Sequence, residues 1–141
     1  MEKLVLASGN QGKLRELSAL LETLGYQVCS QAELGVPEVP ETGTTFVENA
    51  IIKARNAAQH TGFAALADDS GIEVDALDGA PGVYSARFSG ANATAQKNNA
   101  LLVEKLRDIS PAKRTARYRA VIVYMSHAAD PSPIICEGSW E

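Results

Sequence analysis

The sequence predicts an α/β fold built on a mixed β-sheet flanked by helices. Short apolar runs that suit strands alternate with segments of helical periodicity in the first part of the chain. Two further strand-like runs follow each other near the carboxyl end without a helix between them. With 141 residues the chain has the length of one domain, so we expect a single domain over residues 1–141.

Composition and charge exclude several classes of protein. The hydrophobic share of 45% and the charged share of 21% match ordinary globular usage, which excludes a disordered tail and a disulfide mini-protein. The net charge of −4 argues against broad binding to nucleic acid or anionic lipid, so neither a nucleic acid nor a membrane is an expected partner. Cys29 and Cys136 are far apart in the sequence, and we expect them to be reduced thiols in the core.

The amino-terminal part predicts a strand, a helix and a second strand that pairs with the first in parallel. Residues 4–7 form a continuous apolar run, typical of a strand covered on both faces. This run ends at Ser8, too early for a signal peptide or a membrane span, which favours a cytoplasmic location. Leucines then recur at helical spacing on one face until Gly25 supplies a stop, namely Leu14, Leu17, Leu20, Leu21 and Leu24. Residues 27–30 are the expected second strand.

A proline-rich loop and a second helix follow. Residues 34–43 contain two prolines and two glycines, which predicts a surface loop. Thr45 and Glu48 have the spacing of a capping box, so a helix should begin there and end near Gly62.

The remaining segments complete the predicted sheet. A buried strand is expected over residues 63–67, with a break at residues 68–71 and a further strand at 72–74. A third helix is expected from a cap at Thr94 to about Ile109. The runs at residues 116–124 and 134–136 should then pair as an antiparallel hairpin.

The first candidate site is the turn between the first strand and the first helix. The start of a helix presents unpaired backbone N–H groups and the positive end of the helix dipole, which together attract phosphate. Gly9 and Gly12 permit close approach of the backbone, and Lys13 can add a positive charge. The turn is not a Walker A loop, because Leu14 follows the lysine. On this pattern alone, a phosphate-binding turn and an ordinary capped turn both remain open for Ser8, Gly9, Asn10, Gln11, Gly12 and Lys13.

The second candidate site is the acidic segment Asp68-Asp69-Ser70-Gly71, which follows a buried strand. The carboxyl ends of strands are where α/β sheets present ligands, and one or two carboxylates can hold Mg²⁺ there. The alternative is an acidic turn whose carboxylates cap backbone N–H groups. Adjacent side chains also tend to point apart, so both acids need not serve one metal ion.

Other polar residues are ambiguous when taken one at a time. Lys53 borders a buried helical face and could bind phosphate or extend into water. Glu38 and Glu41 lie in the proline-rich loop, where solvated side chains are typical, and we expect His60 and His127 to be surface or capping residues. A polyphosphate with Mg²⁺ would nevertheless use the glycine-containing turn, a second lysine and the acidic pair together.

At these residues the sequence resembles the inosine/xanthosine triphosphate pyrophosphatase family, the Ham1-like enzymes that act on non-canonical purine nucleotides. The matching motifs extend over essentially the whole chain. They are Ser8-Gly9-Asn10 with Lys13, Glu41-Thr42-Gly43, Phe46-Val47-Glu48-Asn49-Ala50, Lys53-Ala54-Arg55, Ala67-Asp68-Asp69-Ser70-Gly71, Pro81-Gly82, Tyr84-Ser85-Ala86-Arg87 and Gly138-Ser139-Trp140.

The resemblance implies an activity and roles for individual residues. The implied reaction is hydrolysis of ITP, dITP or XTP between the α and β phosphorus atoms, giving a monophosphate and pyrophosphate, with Mg²⁺ as the cofactor. Asp69 is implied to be the catalytic proton acceptor for the attacking water, and Glu41, Asp68 and Asp69 are the implied metal ligands. The implied substrate-binding residues are the phosphate turn, Ser8, Gly9, Asn10, Gln11, Gly12 and Lys13, together with Lys53 and Ser70.

The resemblance also implies a long mixed sheet between two lobes with a central cleft, and a homodimer. The family pattern continues past Trp140 into a segment that ends Phe-Gly-Tyr-Asp and a later Ser-His-Arg, which contact the base and complete the second lobe. Neither is found in this sequence. We therefore expect a C-terminally truncated member of the family with an incomplete second lobe, an exposed strand edge and an exposed apolar surface. The alternative function is a non-catalytic nucleotide-binding or oligomerisation fragment.

Overall fold

The computed structural model describes residues 2–141, which contain five strands and three α-helices. In chain order they are β1 (Glu2–Ala7), α1 (Gln11–Thr23), β2 (Tyr26–Ser30), α2 (Phe46–Thr61), β3 (Ala64–Val74), α3 (Ala95–Lys105), β4 (Ala116–Met125) and β5 (Ile134–Trp140). Short 3₁₀ turns lie between β3 and α3 and between α3 and β4.

The five strands form one mixed sheet in the order β2-β1-β3-β4-β5. β1 pairs in parallel with β2, as predicted, and also with β3. The loop between β4 and β5 is shorter than the roughly dozen residues that a parallel crossover needs, so this last pair is antiparallel. The predicted α/β class, with a mixed sheet flanked by helices, is confirmed.

The chain divides into two compact units. The first consists of the chain up to Asp69 together with Val121–Cys136, and the second of Ser70–Ala120 together with Glu137–Glu141. The expectation of a single domain over residues 1–141 stays a prediction.

The core of the first unit surrounds β1. All four residues of the predicted apolar run, 4–7, are buried, as expected for a strand covered on both faces. α2 presents a buried face of alanines, which allows its backbone to lie close to the sheet. Three leucines of α1 pack against the core cluster of Leu4, Leu6, Ala64 and Leu66, namely Leu14, Leu17 and Leu21.

Two of the five leucines assigned to the buried face of α1 are instead exposed. Leu20 is 64% exposed and Leu24 is 72% exposed. At 100° per residue, Leu20 lies about 120° from Leu14 around the helix, outside the narrower stripe that faces the sheet. Leu24 is the C-cap residue, just beyond the last helical residue, Thr23. The face of α1 that packs against the sheet is therefore narrower than the five leucines predicted.

β3 is continuous, so the predicted break at residues 68–71 is wrong. β1 pairs with residues 64–67 only, but β3 has β4 as its other neighbour in the sheet. A strand is maintained by backbone hydrogen bonds to a neighbour, and side-chain polarity does not interrupt them. The two aspartates therefore lie inside β3, next to the point where β1 ends.

The helix boundaries follow the local signals with one exception. Thr45 caps α2 by accepting the backbone N–H of Glu48, and Gly62 ends this helix in the left-handed conformation with φ of 74°. Thr94 caps α3 in the same way as Thr45 caps α2. α3 ends at Lys105 and not near Ile109 as predicted, because the chain turns after Lys105 into the connection toward β4.

β5 is an edge strand, and its Ile134, Ile135 and Trp140 are exposed. Cys136 on this strand is also exposed, while Cys29 is partly buried. The two cysteines form no disulfide, as expected, but the prediction that both lie in the core is wrong. In the part of the chain that the structure describes, no helix is long and apolar enough to cross a membrane.

Candidate functional site

The turn between β1 and α1 forms an exposed helix cap. Asn10 is the N-cap residue, and its Oδ1 accepts the backbone N–H of Lys13 at 3.1 Å. The backbone N–H of Asn10 in turn lies 3.2 Å from Ser8 Oγ, which accepts it. A Cβ on Gly12 would lie 3.3 Å from Asn10 Oδ1, whereas one on Gly9 would meet no atom within 4 Å. The turn thus presents the amino end of α1 at the surface, where an anion can approach it.

Lys13 joins this turn to the acidic segment of β3. Its Nζ donates to Asp68 Oδ2, and only 12% of the Asp68 side chain is exposed. The register explains the contact. Ala7, which precedes the turn, pairs with Ala67, which precedes Asp68, so the turn and the acidic segment begin side by side. The structure therefore brings together two predicted site residues that are 55 positions apart in the chain.

A second lysine and carboxylate pair links α2 to the proline-rich loop. Lys53 Nζ lies 3.1 Å from Glu41 Oε1, with side chains that are 23% and 32% exposed. On sequence alone, each of these residues could have been simply solvated. The pairing shows that the loop holding Glu41 lies against α2.

A buried asparagine, quoted above only as part of a family motif and given no role there, fixes this loop. Asn49 is 1% exposed, and its Oδ1 accepts the backbone N–H of Gly43 at 2.8 Å. Its Nδ2 donates to the carbonyl of Gly43 at 3.4 Å. The signal that could have revealed this role was a polar residue on the alanine-rich buried face of a helix.

Asp69 and Ser70 are the remaining predicted site residues. Asp69 is partly buried, and its Oδ2 atom is shielded from solvent. Neighbouring residues of a strand tend to point to opposite faces, so it stays a prediction that Asp68 and Asp69 need not both serve one metal ion. Ser70, in the second unit, has its Oγ 3.0 Å from the hydroxyl of Tyr118, a residue that the sequence analysis did not identify.

The predicted metal ligands do not form a closed cluster. Over residues 2–141, no group of three or more His, Cys, Asp or Glu side chains is placed to hold a metal ion. Glu41 and Asp68 are each engaged by a lysine instead. Their chemistry still suits Mg²⁺, because this ion binds hard oxygen donors and takes one or two carboxylates together with substrate phosphates and water.

The two histidines and Glu38 are exposed. His60 is exposed, and its Nδ1 donates to the carbonyl of Asn56 at 2.8 Å. His127 Nδ1 accepts the backbone N–H of Ala129 at 3.2 Å. Both match the predicted surface or capping roles, and Glu38 is exposed in the loop.

The regions that match a protein family and known proteins extend over almost the whole chain. The Ham1 family matches residues 4–141. A dITP/XTP pyrophosphatase of Thioalkalivibrio sulfidiphilus is 59% identical over 139 residues, which are 99% of this chain and 71% of that protein. A dITP/XTP pyrophosphatase of Shewanella oneidensis is 60% identical over 141 residues, which are 100% of this chain and 68% of that protein.

Solved structures give the same result for the fold. The HAM1 protein of Coxiella burnetii superimposes with a TM-score of 0.93 and 48% identity, over 99% of this chain and 71% of that one. The Ham1 protein of Staphylococcus aureus superimposes with a TM-score of 0.86 and 37% identity, over 98% of this chain and 69% of that one.

Proposed function

Since the chain belongs to the Ham1 family, we propose that it is a nucleoside triphosphate pyrophosphatase that hydrolyses non-canonical purine nucleotides such as ITP, dITP and XTP. The products are the nucleoside monophosphate and pyrophosphate. The relatives that are 59–60% identical to this chain are dITP/XTP pyrophosphatases, which supports this substrate class.

The observation that carries the proposal is the contact between Lys13 and Asp68. A triphosphate needs positive charge and N–H donors around its oxygens, while its metal ion needs carboxylates. The helix start at Asn10 offers the first kind of group and β3 offers the second, and Lys13 joins them. A triphosphate with its bound metal ion carries both negative and positive charge, so it would interact favourably with both the helix start and the carboxylates of β3.

In the proposed reaction the phosphate turn and the two lysines bind the triphosphate chain. Ser8 and Asn10 shape the turn by their hydrogen bonds. The turn also contains Gly9, Gln11 and Gly12. Lys13 and Lys53 neutralise phosphate charge. Ser70 is the proposed contact to the rest of the substrate. The proposed roles of these residues rest on the family motifs that they match.

Asp69 is the proposed general base. Water attacks phosphorus, the bond from that phosphorus to the bridging oxygen between the α and β phosphate groups breaks, and the Asp69 carboxylate takes the proton from water. The support for this role is the family motif Asp68-Asp69-Ser70-Gly71, in which Asp69 matches the acid that accepts the proton.

Mg²⁺ is part of the proposal. When bound, it neutralises charge on the phosphate oxygens. Glu41, Asp68 and Asp69 would hold it, and their carboxylate oxygens match its ligand preference. A homodimer and a cytoplasmic location complete the proposal. The family resemblance supports the dimer, and a substrate drawn from the nucleotide pool supports the location.

The direct test is to incubate the chain with Mg²⁺ and ITP, XTP or ATP, and to measure pyrophosphate and monophosphate. We expect pyrophosphate from ITP and XTP in preference to ATP, and no release when EDTA removes the metal. Orthophosphate as the sole phosphate product would contradict the proposed cleavage site. Calorimetry that detects binding of Mg·ITP without turnover would favour the alternative of a non-catalytic nucleotide-binding fragment.

A further inference from the structure

Each lysine proposed to bind phosphate is held by a carboxylate proposed to bind the metal. Lys13 pairs with Asp68, and Lys53 pairs with Glu41 at 3.1 Å. All four residues belong to the first unit. The two pairs are made by different elements, since one connects α1 to β3 and the other connects α2 to the loop before it.

The charges of these pairs are partly removed from water, so each charge needs a partner. A buried carboxylate without a counterion is costly, and the side chain of Asp68 is only 12% exposed. Lys53 and Glu41 are also less exposed than ordinary surface charges. The lysines therefore supply, inside the protein, the positive charge that a metal ion would otherwise bring.

From this arrangement we infer that Lys13 and Lys53 are internal counterions, which occupy the metal-binding carboxylates until a metal and a triphosphate arrive together. The inference rests on the proposed function for the identity of the ligand. The triphosphate attracts the lysines and the metal attracts the carboxylates. When the two bind together, lysine–phosphate and carboxylate–metal contacts replace both lysine–carboxylate pairs. Metal alone would displace the lysines from their carboxylates without supplying a phosphate group in exchange. Triphosphate alone would draw the lysines away from the carboxylates without supplying a metal ion in exchange.

Two further properties of the chain support this exchange. The carboxylates do not form a three-ligand cluster anywhere in residues 2–141, so metal alone finds no assembled site. Lysine carries a compact charge on a flexible stem, which lets its ammonium group move from a carboxylate to a nearby phosphate. Metal binding and triphosphate binding are then strongly coupled, and by linkage each strengthens the other equally.

The test measures binding of Mg²⁺ alone by calorimetry, without nucleotide, to the whole chain. We compare the wild type with Lys53→Met and Lys13→Met, and with Lys105→Met as a control, since Lys105 is an exposed lysine at the end of α3. The wild type and the control should bind Mg²⁺ weakly. Each site variant should bind Mg²⁺ about tenfold more tightly or better, because a lysine no longer competes with the metal ion for its carboxylate.

The reverse experiment uses sodium tripolyphosphate in the presence of EDTA. Glu41→Gln and Asp68→Asn each remove a carboxylate that competes with phosphate for a lysine, so both should bind tripolyphosphate about tenfold more tightly than the wild type. The control here is Asp108→Asn, which changes an exposed aspartate outside the site. Circular dichroism and the thermal midpoint establish that each variant is folded.

If the variants at Lys13 and Asp68 do not fold because Asp68 is the more buried carboxylate, Lys53→Met and Glu41→Gln provide the test. A folded Lys53→Met that binds Mg²⁺ no better than the wild type overturns the inference. The proposed function is judged separately by pyrophosphate release from ITP by the wild type. If the wild type is active but metal binding is unchanged in the variants, only the counterion inference is rejected. If the wild type is inactive but the variants bind metal as expected, only the proposed pyrophosphatase activity is rejected.

Discussion

Asn49 holds Gly43 by both of its backbone groups, accepting its N–H at 2.8 Å and donating to its carbonyl at 3.4 Å. The asparagine is buried in α2, one helical turn before Lys53, whereas Gly43 lies two residues after Glu41 in the loop. The two hydrogen bonds therefore determine where the loop meets the helix. The ion pair between Lys53 and Glu41 forms as a result of that placement.

Gly43→Ala should destabilise the protein and lower its activity. A Cβ at this position would lie 2.6 Å from the Cβ of Glu48 and 2.7 Å from Asn49 Oδ1, so the loop must shift. We expect a loss of about 1–3 kcal/mol in the free energy of unfolding, as for an overpacked site, together with a lower kcat/KM for ITP. Urea denaturation and pyrophosphate release measure the two effects. Gly138→Ala is the control, since its Cβ would meet no atom within 4 Å, and equal losses in the two variants would contradict the prediction.

Asn10→Ala should weaken both stability and triphosphate binding. The substitution removes the side-chain oxygen that accepts the backbone N–H of Lys13, and loss of such a cap costs about 0.5–2 kcal/mol. Thr94→Ala removes the equivalent cap of α3, where Thr94 Oγ1 accepts the backbone N–H of Lys97. We expect similar losses of stability in thermal denaturation, but a higher KM for Mg·ITP only in Asn10→Ala. A comparable rise of KM in Thr94→Ala would show that the effect is not specific to the phosphate turn.

Asp69→Asn should lower kcat by about 10²–10⁴-fold, the contribution typical of a general base. Asparagine has nearly the same size but does not accept the proton from water, so the fold should be retained. Pyrophosphate release and the urea midpoint separate activity from stability, and Asp108→Asn controls for the loss of one negative charge. A rate close to that of the wild type would exclude Asp69 as the base.

Asp75→Asn should make stability less sensitive to acid. Hydrogen bonds from Arg117, at 3.0 and 3.1 Å, and from Thr115 hold the pKa of the Asp75 carboxyl below its ordinary value of 3.8. A carboxyl with a lowered pKa in the folded state contributes its stability fully above pH 3.8 and loses that contribution as the pH falls through the folded pKa.

The wild type should therefore lose more stability than Asp75→Asn when urea midpoints are compared at neutral pH and below pH 3.8. Asp108→Asn should follow the wild type. Parallel curves for the wild type and Asp75→Asn would show that the bond to Arg117 does not influence folding.

Local features of the structure were predicted where neighbouring residues alone decide them. Thr45 with Glu48, and Thr94 ahead of α3, specify helix starts because the hydroxyl and the N–H it accepts are only three residues apart. The apolar run at residues 4–7 specifies a buried strand for a similar reason, since continuous hydrophobicity requires cover on both faces. The residue types of the phosphate turn and the acidic segment were equally visible from the sequence.

By itself, the sequence determined the α/β class, the helix caps and the chemical groups available to the site. Only the tertiary structure decided that β3 continues through its aspartates, that Asn49 holds Gly43, and that Lys13 and Lys53 have carboxylate partners. Caps and apolar periodicity depend on atoms within one helical turn or one strand. A contact such as that of Lys13 with Asp68 depends on the register between β1 and β3, which forms only when distant parts of the chain pack together.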